Sequence, residues 1–110
     1  MKKLFLFLIS MIALSLPITA DDVVKEGEQV RLTEDCYGTV VPETLDKLVE
    51  YSRNDNFDMF STFFKFGYAI FLDKDTPATV IKTQQNKVQL RFPNHTQFWV
   101  YSNMVAHGNQ

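Results

Sequence analysis

The chain has 110 residues, with 13 Asp and Glu against 11 Lys and Arg, and a formal net charge of −2. Its basic residues are scattered along the sequence, so it lacks the electrostatic footprint of a nucleic-acid-binding protein. The single cysteine, Cys36, excludes an internal disulfide, and the hydrophobic core must stabilise the fold without a cross-link.

The first twenty residues predict a secretory signal peptide of the bacterial type. Met1 to Lys3 is a cationic start, Leu4 to Leu16 is an almost unbroken apolar run, and Ala20 is the small residue before the expected cleavage site. The apolar run is too short to span a bilayer comfortably. A lipoprotein would carry an acylated cysteine directly after cleavage, where this chain has Asp21. We therefore expect a periplasmic or secreted protein that begins at Asp21 and is not embedded in the membrane.

A half-buried strand and a helix are predicted first along the mature chain. Val30 and Leu32 alternate with polar residues, as in a strand with one buried face. The segment from Cys36 to Gly38 interrupts this alternation. Pro42 to Arg53 then predicts a helix, because proline suits the first helical position and apolar residues recur at helical spacing. This stripe consists of Leu45, Leu48 and Val49.

A second helix, rich in phenylalanine, is predicted from Phe57 to Phe66. Asn54 to Asn56 supplies a turn and an N-cap before it, and Gly67 fits the position just beyond its C-terminal end. Its apolar residues form two stripes, Phe57, Phe60 and Phe64 on one face and Met59, Phe63 and Phe66 on another. One stripe suffices for packing on a barrel. The other is either covered by the first helix or exposed as a patch that binds a partner or self-associates.

From residue 68 the apolar residues recur at every second position, which predicts antiparallel strands. The expected strands are Tyr68 to Leu72, Ala78 to Thr83, one around Val88, Leu90 and Phe92, and one around Phe98 and Val100. Residues 102–105 predict a single helical turn before a final edge. Short strands joined by short turns favour a small barrel, because closure removes sheet edges.

Three segments of this half resemble a bacterial SH3-like (SH3b-type) domain. Asp75 to Ile81 (DTPATVI) resembles the start of its second strand, Lys87 to Arg91 (KVQLR) resembles a later strand, and Phe98 to Val105 (FWVYSNMV) is similar to its closing strand and 3₁₀ turn. The resemblance implies one mainly β SH3-like domain over residues 21–110, a small β-barrel. The helices, at about 42–66, would form a two-helix hairpin inserted between the first and second strands.

The chain departs from this family at positions that bear on ligand binding. Asp75 replaces the usual glycine, Phe98 replaces the glycine before Trp99, and Tyr101 replaces a proline. Met104 stands where peptide-binding SH3 domains often have tyrosine. The resemblance therefore implies a fold, and it does not imply binding of proline-rich ligands.

Trp99 and Tyr101 are the candidate ligand-binding residues. By strand alternation they lie on the face opposite Phe98 and Val100. Exposed Trp and Tyr are the usual anchors of binding sites. The two rings are either packed beneath the helical hairpin or exposed as a ligand platform, beside a groove between the barrel and the hairpin.

Catalytic and metal-binding chemistry is not expected from this sequence. Cys36 with His95 or His107 would supply a nucleophile and a base, but no orienting third group and no motif of exported Cys–His peptidases accompanies them. The two histidines lack the companions of a zinc site, and Asp73 and Asp75 lack the rest of a calcium loop. We therefore expect a structural Cys36, no metal, no cofactor and no enzyme.

The expected function is non-catalytic binding of a protein, peptide or cell-wall fragment in the bacterial envelope. An alternative is an inhibitor or immunity-type protein that blocks an exported enzyme through an acidic face. A third is a small Cys-dependent enzyme. A concave aromatic groove would favour ligand binding, a flat acidic patch would favour an inhibitor, and the exposure of Cys36 bears on the third.

Overall fold

The computed structural model describes residues 24–108, which form a mainly β fold with two helices. The strands are β1 (Gln29–Leu32), β2 (Cys36–Thr39), β3 (Ala69–Leu72), β4 (Pro77–Gln84), β5 (Lys87–Arg91), β6 (Gln97–Tyr101) and β7 (Val105–His107). The helices are α1 (Pro42–Arg53) and α2 (Phe57–Lys65), and a 3₁₀ turn (Ser102–Met104) separates β6 from β7. The predicted signal peptide and its cleavage site lie outside the described residues.

The strands form one antiparallel sheet in the order β3-β2-β6-β5-β4-β1-β7. Over residues 24–108, β3 and β7 are its two edges, so strand pairing does not close the expected barrel. The helices lie between the second and third strands, and not between the first and second as the sequence suggested. The reason is that Cys36–Thr39 pairs with both β3 and β6 and is itself a strand.

Gly38 explains why this strand is hard to recognise in the sequence. A Cβ atom at this position would lie 2.9 Å from Cδ1 of Leu72 and 2.9 Å from Cβ of Phe98. Glycine therefore allows β2 to pass close to its neighbours. The close approach removes the apolar side chain that would otherwise mark the alternation of a strand.

The hydrophobic core lies on one face of the sheet, where apolar side chains of neighbouring strands meet. Val88 stands opposite Val100, and Leu90 stands opposite Phe98. Such cross-strand pairs are the unit of sheet stabilisation. The buried members of the core are Val30, Leu32, Leu72, Ala78, Val80, Val88, Leu90, Phe92 and Val100.

Helix α1 has the bounds expected from the sequence and packs its apolar stripe inward. Pro42 takes the first helical position, and Leu45 and Leu48 are fully buried. The helix packs against β2 and β6. Because β6 carries the candidate residues Trp99 and Tyr101, the placement of α1 decides how accessible they are.

Helix α2 begins and ends close to the expected residues but is far less buried. The side chain of Asn56 accepts a hydrogen bond from the backbone N–H of Met59, and Gly67 has a φ of 82°, the left-handed conformation that glycine favours after a helix. No residue of α2 is fully buried. Within the described part of the chain, neither helix has the length and apolar character needed to cross a membrane.

Candidate functional site

The face of β6 that carries Tyr101 is turned towards α1. The hydroxyl of Tyr101 donates a hydrogen bond of 2.6 Å to Oδ1 of Asp46 on that helix. Trp99, two residues earlier on the same face, is only 6 % exposed. Trp99 is therefore an interior residue in this structure. Of the two candidates drawn from the sequence, Tyr101 is half-buried and lines a pocket.

Asp46 fixes the position of Tyr101 by joining α1 to two strands. Its Oδ2 accepts a hydrogen bond of 2.8 Å from the ammonium group of Lys87, the register partner of Tyr101 on β5. The hydrogen bonds from Lys87 and Tyr101 lower the pKa of Asp46. Burial, followed by the contact with Asp46, raises the pKa of Tyr101. The ionised carboxylate of Asp46 thus faces the neutral phenol of Tyr101, and the Tyr101 hydroxyl already donates its hydrogen bond within the protein.

A pocket of about 560 Å³ opens beside β3, and we call it the edge pocket. It is bordered by the ends of β2 and β3, by α1, and by the end of β6 with the 3₁₀ turn. Its walls are mostly apolar or aromatic, with two carboxylates. The residues that line it are Asp35, Cys36, Tyr37, Val49, Phe71, Leu72, Asp73, Tyr101 and Met104.

Backbone and side-chain hydrogen bonds order the acidic end of the edge pocket. Oδ1 of Asp35 accepts a hydrogen bond of 2.8 Å from the backbone N–H of Lys74, which links the segment before β2 to the turn after β3. The hydroxyl of Thr76 donates to the carbonyl oxygen of Asp73 at 2.6 Å. Hydrogen bonds therefore fix the carboxylate of Asp35 and the backbone of Asp73 at this end of the pocket.

Aromatic rings extend the wall of the edge pocket onto α2. Tyr37 packs edge-on against Phe60 and Phe64, with ring centroids 5.8 and 6.0 Å apart. Phe64 stacks on Phe71 at 4.3 Å. We call Tyr37, Phe60, Phe64 and Phe71 the aromatic cluster. Phe71 is nevertheless 71 % exposed, so its ring is available to a ligand.

Each of the two apolar stripes of α2 contains both half-buried and exposed residues, whereas one stripe was expected to be buried as a whole. Phe60 and Phe64 of one stripe and Phe63 of the other are half-buried. Phe57 and Phe66, at opposite ends of the helix, are exposed. Neither stripe is fully covered by α1. The helix therefore contributes apolar surface that neighbours the aromatic cluster.

Most residues of the edge pocket were not candidates in the sequence. Phe71 lies in the apolar run of β3, where nothing local indicates that the strand forms a sheet edge. Tyr37 lies in the segment that interrupts the alternation. Val49 and Met104 come from elements distant in sequence. The pair Tyr37 and Gly38 carried a usable signal of β2. A glycine in a strand often marks a close approach of backbone, and the aromatic ring beside it is typical of a strand.

Cys36 does not meet a histidine base. It lies in β2, whereas His95 is exposed in the turn after β5 and His107 lies in β7 and contacts Glu28. In the sheet order β6, β5, β4 and β1 separate β2 from β7. Burial, followed by the charges of Asp35 and Glu34, raises the pKa of the Cys36 thiol to about 11. These surroundings oppose formation of a nucleophilic thiolate.

Cys36 is expected to react slowly with thiol reagents although it is only half-buried. A pKa of about 11 in place of 9.0 leaves about a hundredfold less thiolate at pH 8. A more basic thiolate is also the better nucleophile, which offsets about tenfold of this loss. The reaction with Ellman's reagent should therefore be about tenfold slower in the folded protein than in the same chain unfolded in guanidinium chloride. Equal rates in the two states would contradict this environment for Cys36.

Asp73 and Asp75 do not share a site. Asp73 lines the edge pocket, whereas Asp75 forms an ion pair with Arg31 at 3.4 Å. Among residues 24–108, no group of three or more His, Cys, Asp or Glu side chains is placed to hold a metal ion.

Comparisons with known proteins found no match. No protein-family model matches the chain, and no match was found among the curated proteins or among the solved structures. The edge pocket and the aromatic cluster, by their geometry and chemistry, are therefore the features that bear on function.

Proposed function

We propose that this protein is an exported, non-catalytic binding protein that holds a protein, peptide or cell-wall fragment at the edge pocket and the aromatic cluster. The observation that carries the proposal is the 71 % exposure of Phe71 beside a concave, mostly apolar pocket. Contiguous exposed apolar surface typically marks an interaction site, and ligand pockets are concave and apolar with a few polar groups.

The shape of this surface favours ligand binding over the inhibitor alternative. An inhibitor acting through its charge would be expected to present a flat acidic patch. The edge pocket is instead concave, with Tyr37, Phe71 and Tyr101 among its lining residues. The raised pKa of Cys36 weighs against the third alternative, a Cys-dependent enzyme.

The SH3-like (SH3b-type) fold is part of the proposal. In it, β1, β4, β5, β6 and β7 are the barrel strands, and β2, α1, α2 and β3 together form one insertion after β1. Two features support this assignment. The 3₁₀ turn Ser102–Met104 follows β6, as in the closing segment of the family, and β7 pairs with β1.

Export is expected to yield a chain that begins at Asp21. The cationic start, the apolar run and Ala20 motivate this expectation. Mass spectrometry of the protein recovered from the periplasm or medium of a bacterial host should give the mass of residues 21–110. Recovery of the uncut chain, or of a lipid-modified one, would contradict the export proposal.

Loss of the Phe71 ring is expected to weaken partner capture. Immobilised wild type, Phe71→Ala and the control Thr83→Ala are compared as baits for bacterial envelope extract and purified cell-wall fragments. A central aromatic anchor contributes about 2 kcal/mol or more, so Phe71→Ala should weaken binding by roughly 30-fold. Thr83 is exposed on β4, away from the pocket, so its variant should retain the partner. Equal retention by all three baits would count against the proposed site.

A further inference from the structure

β3 is a sheet edge that presents backbone groups to a further strand. Within the described residues its one strand neighbour is β2, and the backbone N–H of Val40 donates to the carbonyl oxygen of Tyr68 at 3.0 Å. In an antiparallel ladder, the residues that bond to the partner strand alternate. Ala69 and Phe71 therefore direct their N–H and C=O groups away from β2. β3 contains no lysine or proline, the residues that commonly protect an edge.

The edge pocket beside this strand carries negative charge. Asp35 and Asp73 line it, and its lining residues in the described part of the chain include no lysine, arginine or histidine. The hydrogen bond that Asp35 accepts from Lys74 comes from the backbone N–H. Asp35 and Glu34 also contribute, after burial, to the raised pKa of Cys36 in the pocket wall. A ligand that enters the pocket therefore meets a negative potential.

The walls of the edge pocket suit a cation on an apolar stem. Tyr37, Phe71 and Tyr101 offer aromatic rings, and Val49 and Leu72 offer aliphatic surface. Aromatic faces attract cations, and the stems of lysine and arginine pack on apolar surface while their charged ends stay solvated. The pocket volume of about 560 Å³ leaves room for a long side chain.

We propose, on the basis of the proposed function, that the partner is a basic polypeptide segment that pairs with β3 and inserts a lysine or arginine side chain into the edge pocket. The backbone of the segment bonds to Ala69 and Phe71, as in other cases of strand addition. The stem of the inserted side chain packs on Phe71 and Leu72. Its charged end lies near Asp35 and Asp73, where a neutral side chain would gain no electrostatic attraction.

The test uses two end-blocked peptides, Val-Thr-Lys-Val-Thr and its twin with norleucine in place of lysine. Each is titrated into isotopically labelled mature protein, and backbone amide shifts are followed by NMR. The lysine peptide should shift the amides of Asp35, Phe71 and Leu72 in a saturable manner. The norleucine peptide should bind at least about tenfold more weakly, and added salt should weaken binding of the lysine peptide.

The double variant Asp35→Asn with Asp73→Asn should abolish the difference between the two peptides. These changes preserve side-chain shape, and a thermal melt checks that the variant folds. If it does not fold, the salt titration of the wild type still decides the role of charge. n-Butylammonium serves as the small-amine probe and should bind far more weakly than the lysine peptide.

Each other outcome overturns the inference in a distinct way. Equal affinity for the two peptides refutes recognition of charge but leaves the proposed function intact. Equal affinity for n-butylammonium and the lysine peptide refutes strand addition. Absence of shifts at the edge pocket with millimolar lysine peptide refutes the basic partner altogether. Failure of the proposed function itself would appear separately, as unchanged partner capture by Phe71→Ala.

Discussion

Replacing Leu48 with alanine is expected to lower the free energy of unfolding by about 2–5 kcal/mol. Leu48 is fully buried on α1, where that helix packs against β2 and β6. The substitution removes apolar contacts and leaves a cavity that the surrounding sheet cannot fully collapse into. The loss is a large fraction of the stability of a small domain, which is typically about 5–15 kcal/mol. Urea unfolding monitored by circular dichroism measures it.

Lys47→Ala is the matched control, because Lys47 is the exposed neighbour of Leu48 on the same helix. It should change the free energy of unfolding by less than about 0.5 kcal/mol. Trp99, the single tryptophan of the chain, offers a second reading. Its emission should stay blue-shifted in Lys47→Ala. A Leu48→Ala variant as stable as the control would mean that α1 is not docked through this stripe.

Replacing Asp46 with asparagine is expected to lower the free energy of unfolding by about 1–3 kcal/mol. Asparagine still accepts the hydrogen bond from Tyr101, but it leaves the ammonium group of Lys87, whose residue is 7 % exposed, without its carboxylate. Loss of one partner in a fully buried pair costs about 3–5 kcal/mol. The smaller value is expected here because the Asp46 carboxylate faces solvent, which screens the interaction.

The effect of Asp46→Asn is also expected to depend on pH. The hydrogen bonds from Lys87 and Tyr101 lower the pKa of Asp46 below 3.8, so folding favours the ionised carboxylate. Its contribution is complete above that pH and is lost as the pH falls through the lowered pKa. The stability difference between wild type and variant should therefore be constant from about pH 5 to 8 and shrink below 3.8.

Glu50→Gln is the control for this pH dependence, since Glu50 is an exposed carboxylate on the same helix. The free energy of unfolding of Glu50→Gln should match that of the wild type at every pH. A stability difference for Asp46→Asn that persists unchanged at pH 2 would show that the carboxylate of Asp46 does not carry the effect.

Local chemistry determined the elements that the sequence predicted well. The bounds of α1 coincide with those expected, because Pro42 and the spacing of its apolar residues are local signals. The strands β4 to β6 also lie where alternation placed them, and the 3₁₀ turn lies within residues 102–105, where a single helical turn was expected. β2 was not predicted because the requirement for glycine at position 38 comes from close contact with Leu72 and Phe98, which are distant in sequence.

The candidate site depends on long-range pairing and was therefore less predictable. Alternation correctly placed Trp99 and Tyr101 on one face of β6, but only the packing of α1 against that strand determines which ring remains accessible. The exposure of Phe71 follows from the position of β3 at the edge of the sheet. An apolar run of four residues does not indicate whether the strand lies at the centre or at the edge of a sheet.

The surroundings of Cys36 have a consequence for the durability of the protein. The proposed export would bring the protein into contact with disulfides and oxidants, where an unpaired cysteine is prone to form mixed disulfides with other molecules. Thiol–disulfide exchange proceeds through the thiolate, whose formation burial and the acidic residues Glu34 and Asp35 oppose. Asp35, one of the two carboxylates proposed to recognise a partner, thus also slows the oxidation of the cysteine beside it.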